Sequence, residues 1–213
     1  MRRILAASIF SSFLAAGTAY ATTPPKQLDK GPGGADYIAT TEDVKKEAFG
    51  SGAQQVFVFS PMRGGEGARP VVVFLHAYGA YNPKIYGAWI DHIVRKGNIV
   101  IFPRFQLDAR TPRAEITGHA AAGVRLGMEK AGAAADAGRV AYVGHASGGL
   151  IAANLAAGAG GAGVPKARLV FSLMPGVSKG SARFATPLAD MAAMPADTML
   201  LTLTGESDNI VRD

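Results

Sequence analysis

The residues best placed for chemistry lie in Gly144-His145-Ala146-Ser147-Gly148-Gly149, between a hydrophobic run, Arg139-Val140-Ala141-Tyr142-Val143, and the apolar stretch Leu150 to Leu155. A strand that turns sharply through glycines into a helix exposes one residue at the tip of the turn, where a serine hydroxyl can serve as nucleophile in acyl transfer. Glycine is needed two positions before and two after that residue, because side chains there collide with the neighbouring strand and helix. Gly144 and Gly148 flank residue 146, which is alanine. A methyl group cannot attack a carbonyl. The hydroxyl of Ser147 comes one residue late, and a register centred on it would put the bulky ring of His145 at a crowded position. Ala146 at the nucleophile position is the reading that fits the glycines, and a displaced Ser147 is the alternative.

The remaining inventory narrows the chemistry. Cysteine is absent, so no thiol can act as nucleophile or soft metal ligand, and no disulfide can staple the fold. The four histidines, His76, His92, His119 and His145, show no ligand spacing with one another or with carboxylates, which leaves metal-dependent hydrolysis a weaker idea. The net charge is +6, or +4 without the two charges of Arg2 and Arg3, and the basic residues are scattered instead of interleaved with aromatics. That distribution suits a solvated surface and gives no nucleic-acid footprint.

The elements that must position these residues follow an α/β alternation. Gln55-Val56-Phe57-Val58-Phe59 and Val71-Val72-Val73-Phe74-Leu75 read as strands, the second apolar at consecutive positions, as in a strand covered on both faces. Trp89, Ile90, Ile93 and Val94 recur at helical spacing and end at Lys96-Gly97, and Asn98 to Pro103 is the next strand. A small-residue helix is expected over Ile116 to Lys130, with Ala120, Gly123, Val124 and Gly127 able to sit close on a sheet. Ala167 to Phe171 and Met199 to Leu203 read as two further buried strands. The expected fold is a doubly wound, mostly parallel sheet with helices on both faces and its ligand site at the carboxyl ends of the strands. Gly158 to Gly163 matches G-x-G-x-x-G literally, but it follows a helix and reads as a loop.

Length and leader set the boundaries. With 213 residues, 48% hydrophobic and 18% charged, the chain suits one globular domain, here 41–213. Met1-Arg2-Arg3, the apolar run Ile4 to Ala16 and Ala19-Tyr20-Ala21 have the order of a secretory signal peptide over 1–21, with a secreted or periplasmic product beginning at Thr22. That apolar run is too short to span a bilayer. Residues 22–40 form a Pro/Gly-rich lead-in.

From about Gln55 onward the chain resembles the α/β-hydrolase superfamily, and within it the chlorophyllase-like, dienelactone-hydrolase-like and cutinase-like secreted esterases. The motif at Gly144 to Gly148 is one of three that carry the resemblance. After a buried strand, Leu75-His76-Ala77-Tyr78-Gly79 resembles the His-Gly-x-Gly oxyanion loop, and Thr204 to Val211 resembles the Gly-x-x-Asp-x-x-Val loop that carries the triad acid. The resemblance implies that the backbone N–H groups of Tyr78 and Ser147 stabilise the oxyanion, that His76 and His145 lie beside the substrate, and that Asp208 is the acid, with Glu206 a poorer match. Ala77 departs from the usual glycine, at a cost of roughly 1–2 kcal/mol if the loop requires a left-handed residue there.

The family order places the histidine after the acid, whereas all four histidines precede Asp208. The expectation is a fragment ending short of the last helix, the last strand and the histidine, because a sheet edge left bare needs cover. Two functions remain open. One is a carboxylic-ester hydrolase of Ser-His-Asp type, acting on a small or polymeric ester and impaired by Ala146; the other is a non-catalytic binder of ester-like ligands. Neither requires a cofactor, and the sequence leaves acyl specificity and oligomeric state open.

Overall fold

The structure, a computed structural model, describes residues 43–62, 67–158, 160–161, 163–181 and 185–208. The expected leader and lead-in lie outside these residues. The described elements are β1 (Val44–Phe49), β2 (Val56–Pro61), β3 (Arg69–Leu75), α1 (Gly87–Arg95), β4 (Ile99–Pro103), α2 (Ile116–Ala131), β5 (Ala135–His145), α3 (Ser147–Ala156), β6 (Ala167–Leu173) and β7 (Met199–Leu203). All seven strands belong to one sheet, in the order β1-β2-β4-β3-β5-β6-β7. β2 is antiparallel to both β1 and β4, and the pairings from β4 to β7 are parallel.

Consecutive apolar residues make sense once both faces of the sheet are considered. Val71, Val73 and Leu75 of β3, with Ile99 and Ile101 of β4, pack into one core beneath α2 and α3. The alternate residues Phe74, Val100 and Phe102 join a second core on the other face, with Ile90 and Val94 of α1. Because successive strand side chains point to opposite faces, a strand buried on both sides loses the polar alternation. α1 and α2 flank opposite faces because the chain steps from β3 to β4 on one side and then crosses back over β3 to β5. The crevice opened by that reversal lies at the carboxyl ends of β3 and β5.

Close approach of α2 to the sheet depends on its missing side chains. A Cβ on Gly127 would sit 2.5 Å from Ile101 Cγ2 and 3.1 Å from Val56 Cγ2, and one on Gly123 would sit 2.7 Å from Pro103 Cβ. Gly118, on the same helix, faces open space.

Two strands differ from the sequence reading. β1 was not anticipated, because Lys45-Lys46-Glu47 hides the strand pattern. Its charges are accommodated at the sheet edge, where Lys45 pairs with Glu47 at 3.0 Å and the Lys46 ammonium lies 4.8 Å from the Phe57 ring centre. The apolar run of β7 predicts a buried strand, yet all five of its residues are exposed, Met199 by 67%. An apolar run reports what a strand can bury; cover must come from another element, and neither core of the described residues reaches this one.

His76, the first residue beyond β3, is fully buried. Its ring stacks on Phe105 with centroids 3.8 Å apart, and its two nitrogens lie 2.6 Å from the carbonyl oxygens of Ala77 and Arg104. Burial pushes its pKa down to about 4 against the pull of those two carbonyls, with the Arg104 charge adding to the lowering. The ring is therefore neutral at pH 7 and donates its one N–H to one of the two oxygens.

Two predictions follow from this packing. Gly118→Ala should raise stability by about 0.5–1 kcal/mol through helix propensity, whereas Gly127→Val should lower it by about 2 kcal/mol through overpacking, both read from urea midpoints. As pH falls from 6.5 towards 4, the unfolded state takes up a proton that folded His76 refuses, so stability should drop by roughly 1.4 kcal/mol per pH unit in that window. His76→Asn should flatten that slope relative to the parent, even if its stability at pH 7 is lower.

Candidate functional site

Between β5 and α3 the chain turns through Ala146 at φ 51°, ψ −121°, a left-handed conformation that costs a non-glycine residue about 1–3 kcal/mol. The surroundings hold it there. Ala146 N–H donates to Leu173 O at 3.0 Å, and Ala146 O accepts from the N–H groups of Gly149 at 2.8 Å and Gly176 at 2.9 Å. A Cβ on Gly144 would overlap the Gly148 carbonyl, and one on Gly148 would overlap the Leu75 carbonyl at the end of β3. The glycine spacing read from the sequence thus corresponds to backbone-on-backbone contact, and Ala146 occupies the tip of the turn. Ser147 is the first residue of α3 and is buried, its Oγ accepting a hydrogen bond from Arg113 Nη1 at 2.6 Å.

The loop after β3 faces this turn. Ala77 N–H donates to Tyr86 Oη at 2.9 Å and Gly79 N–H to Gln106 Oε1 at 2.8 Å. Between them, Tyr78 N–H has no acceptor among the described residues, and neither does Ser147 N–H at the start of its helix, where the first amides lack intrahelical partners. The left-handed position in this loop is Gly79, at φ 86°, and Ala77 stays out of that region, so the alanine there carries no such penalty.

Aromatic side chains brace the loop from both sides. Tyr78 Oη lies 3.0 Å from Ala109 O and 2.9 Å from Thr111 O, tying the loop to the segment after β4, and its ring lies 3.4 Å from the Arg113 guanidinium carbon. Tyr86 Oη accepts from Ala77 N–H and shares a hydrogen bond with His145 Nδ1, 3.1 Å away. Burial pushes the Tyr86 pKa up, keeping the phenol protonated for that role.

These groups line one cavity of about 590 Å³ that includes Tyr78, His145, Ala146, Ser147 and Asp208. Residues up to 130 positions apart are thereby gathered at one edge of the sheet. Glu206, two residues before Asp208 and exposed, does not line the cavity. Neither does His76, whose ring lies in the core supporting the loop from below. His92 is exposed on α1, and His119 on α2 lies 3.9 Å from Glu115. The end of the acidic loop, Asn209 to Val211, falls outside the described residues.

Sequence reasoning missed Arg113, Met174, Gly176 and Val177, which also line the cavity. Met174 and its neighbours follow the carboxyl end of β6, a placement that topology could have flagged. Arg113 has no motif around it; it reaches the site because Tyr78 anchors the loop that carries it. Among the described residues, no three His, Asp or Glu side chains gather as a metal site, and no helix is long and apolar enough to cross a membrane.

The thermostable esterase from Pseudomonas putida ECU1011 shares 23% identity over 67% of this chain and 46% of its own, with a TM-score of 0.51. A bacterial heroin esterase shares 20% over 68% of this chain and 48% of its own (TM-score 0.51), and esterase B from Lactobacillus rhamnosis 19% over 64% and 50% (TM-score 0.52). The chain therefore spans about half the length of these structures, and the likeness establishes an α/β-hydrolase fold. No curated protein sequence matches it. The chlorophyllase family profile matches residues 32–181, a span that takes in the Tyr78 loop, Arg113 and the strained Ala146 turn, and the chain belongs to the chlorophyllase family.

Proposed function

We propose that this chain is an exported carboxylic-ester hydrolase homologue whose pocket holds an acyl ester but lacks the nucleophile to cleave it. The observation that carries the reading is the convergence of the Ala146 turn, the acceptor-free N–H groups of Tyr78 and Ser147, and Asp208 on one cavity. An ester seated there would turn its carbonyl oxygen to the two N–H groups, donors suited to the negative charge of a tetrahedral intermediate. Its carbonyl carbon would face the Ala146 methyl, where a hydroxyl would have to stand for attack. Asp208, which lines the cavity, is the candidate for the acid that orients a histidine base, and all four histidines precede it in the chain.

Ser147 is the competing nucleophile, favoured by one contact, since a hydrogen bond from Arg113 would stabilise its alkoxide. Against it stand its burial and its place inside the first turn of α3 instead of at the strained tip.

Loss of a triad serine costs on the order of a million-fold in turnover, so the 213-residue chain should release nitrophenol from a short-chain ester at close to the background rate. Ala146→Ser alone should recover little, because triad members fail together when the base is not supplied. Turnover by the unaltered chain that disappears on Ser147→Ala would identify Ser147 as the nucleophile instead. Export is tested separately: mass measurement of the protein recovered outside the cytoplasm should give a start at Thr22, and an intact Met1 there would refute the leader.

A further inference from the structure

Arg113 is a cation in a cavity whose remaining lining is mostly apolar or backbone. Its guanidinium lies flat on Tyr78 at 3.4 Å, and Nη1 donates to Ser147 Oγ at 2.6 Å, so it touches both residues whose N–H groups face the proposed carbonyl site. Its Nε is buried without a hydrogen-bond partner among the described residues. No carboxylate of the described residues lies within ion-pair distance of it, although Asp208 lines the same cavity. Desolvation pulls its pKa down from the ordinary arginine value, with the Tyr78 phenolate opposing this at high pH, yet a guanidinium keeps its proton at neutral pH. A partly buried charge that meets no carboxylate gains most from an anionic partner, and a guanidinium is suited to a carboxylate.

We infer that Arg113 is a carboxylate-binding group in this pocket, and that the cavity selects esters carrying a free carboxylate close to the ester bond. The inference rests on the ester-binding reading above and adds a substrate class to it. The carboxylate can belong to the acyl half, as in a half-ester of a dicarboxylic acid, or to the alcohol half, as in an acylated hydroxy acid. In either case it would lie against Arg113 while the ester carbonyl points to the N–H groups of Tyr78 and Ser147. The stacked Tyr78 ring fixes the plane of the guanidinium and so the direction from which the anion approaches.

The test is calorimetric titration of the 213-residue chain at pH 7 and low salt with monoethyl succinate, acetoxyacetate and diethyl succinate. At least one of the two anionic esters should bind tenfold or more tightly than the neutral diester, and the preference should shrink as salt is added. Arg113→Gln should bring the anionic-to-neutral ratio close to one, and Arg113→Lys should retain part of it. Equal binding of all three esters to the parent chain would overturn the inference while leaving the ester pocket in place. A preference that survives Arg113→Gln in a protein of unchanged melting temperature would overturn it too. Absence of binding by all three would overturn the ester-pocket reading itself.

Discussion

The first turn of α3 passes so close to the carboxyl end of β3 that Gly148 has no room for a Cβ beside the Leu75 carbonyl. Everything at the site depends on that approach. To bring helix and strand together, the chain must leave β5 through a left-handed residue, and Gly144 must be bare because its own Cβ would meet the helix backbone. The strain at Ala146 is offset by three backbone hydrogen bonds, one from its N–H and two to its carbonyl. These bonds also tie the turn to β6 and to Gly176, so strand ends that are distant in sequence share one rigid frame. Rigidity of this kind places an N–H donor to a fraction of an ångström, which is what stabilising an oxyanion requires.

Around that frame the side chains are arranged in layers of support. His76, neutral and stacked on Phe105, fills the space beneath the loop after β3. Tyr86 takes up Ala77 N–H and holds His145 through its Nδ1, while Gln106 takes up Gly79 N–H. The outer two of three consecutive amides are thus committed to side chains, and the middle one, Tyr78, has no acceptor among the described residues. Arg113 closes the same corner from the segment after β4. A pocket built in this way retains its shape and its charge whether the residue at the tip of the turn carries a hydroxyl or a methyl.

Much of this was legible in the chain itself, for reasons of local physics. Runs such as Val71 to Leu75 and Ile99 to Phe102 declare strands covered on both faces, since no polar alternation survives there. Glycines at 144 and 148 declare a turn too crowded for side chains and set the register that puts Ala146 at its tip. The places of Tyr78, Ala146 and Asp208 after the carboxyl ends of β3, β5 and β7 imply one site, because a doubly wound sheet collects those ends. Other features were hidden because their signal is not local. β1 carries three charges in succession, tolerated only at an edge where Phe57 and Phe59 lie under Lys46. β7 reads as buried from its residues, and it is exposed because neither core of the described residues reaches it.

By itself the sequence determined the alternation of strands and helices and the alanine between the two crowded glycines, because each is a matter of residue type and near-neighbour spacing. Only the tertiary structure decided which of the similar groups line the cavity. Asp208 reaches the cavity and Glu206 does not; His145 lines it, whereas His76 is sealed in the core at the cost of its proton affinity. Arg113 enters from a loop with no motif of its own. The physical reason is common to all three: direction and depth of burial are set by contacts between segments far apart in the chain, here by Tyr78 reaching across to Ala109 and Thr111, and no spacing within a segment encodes them.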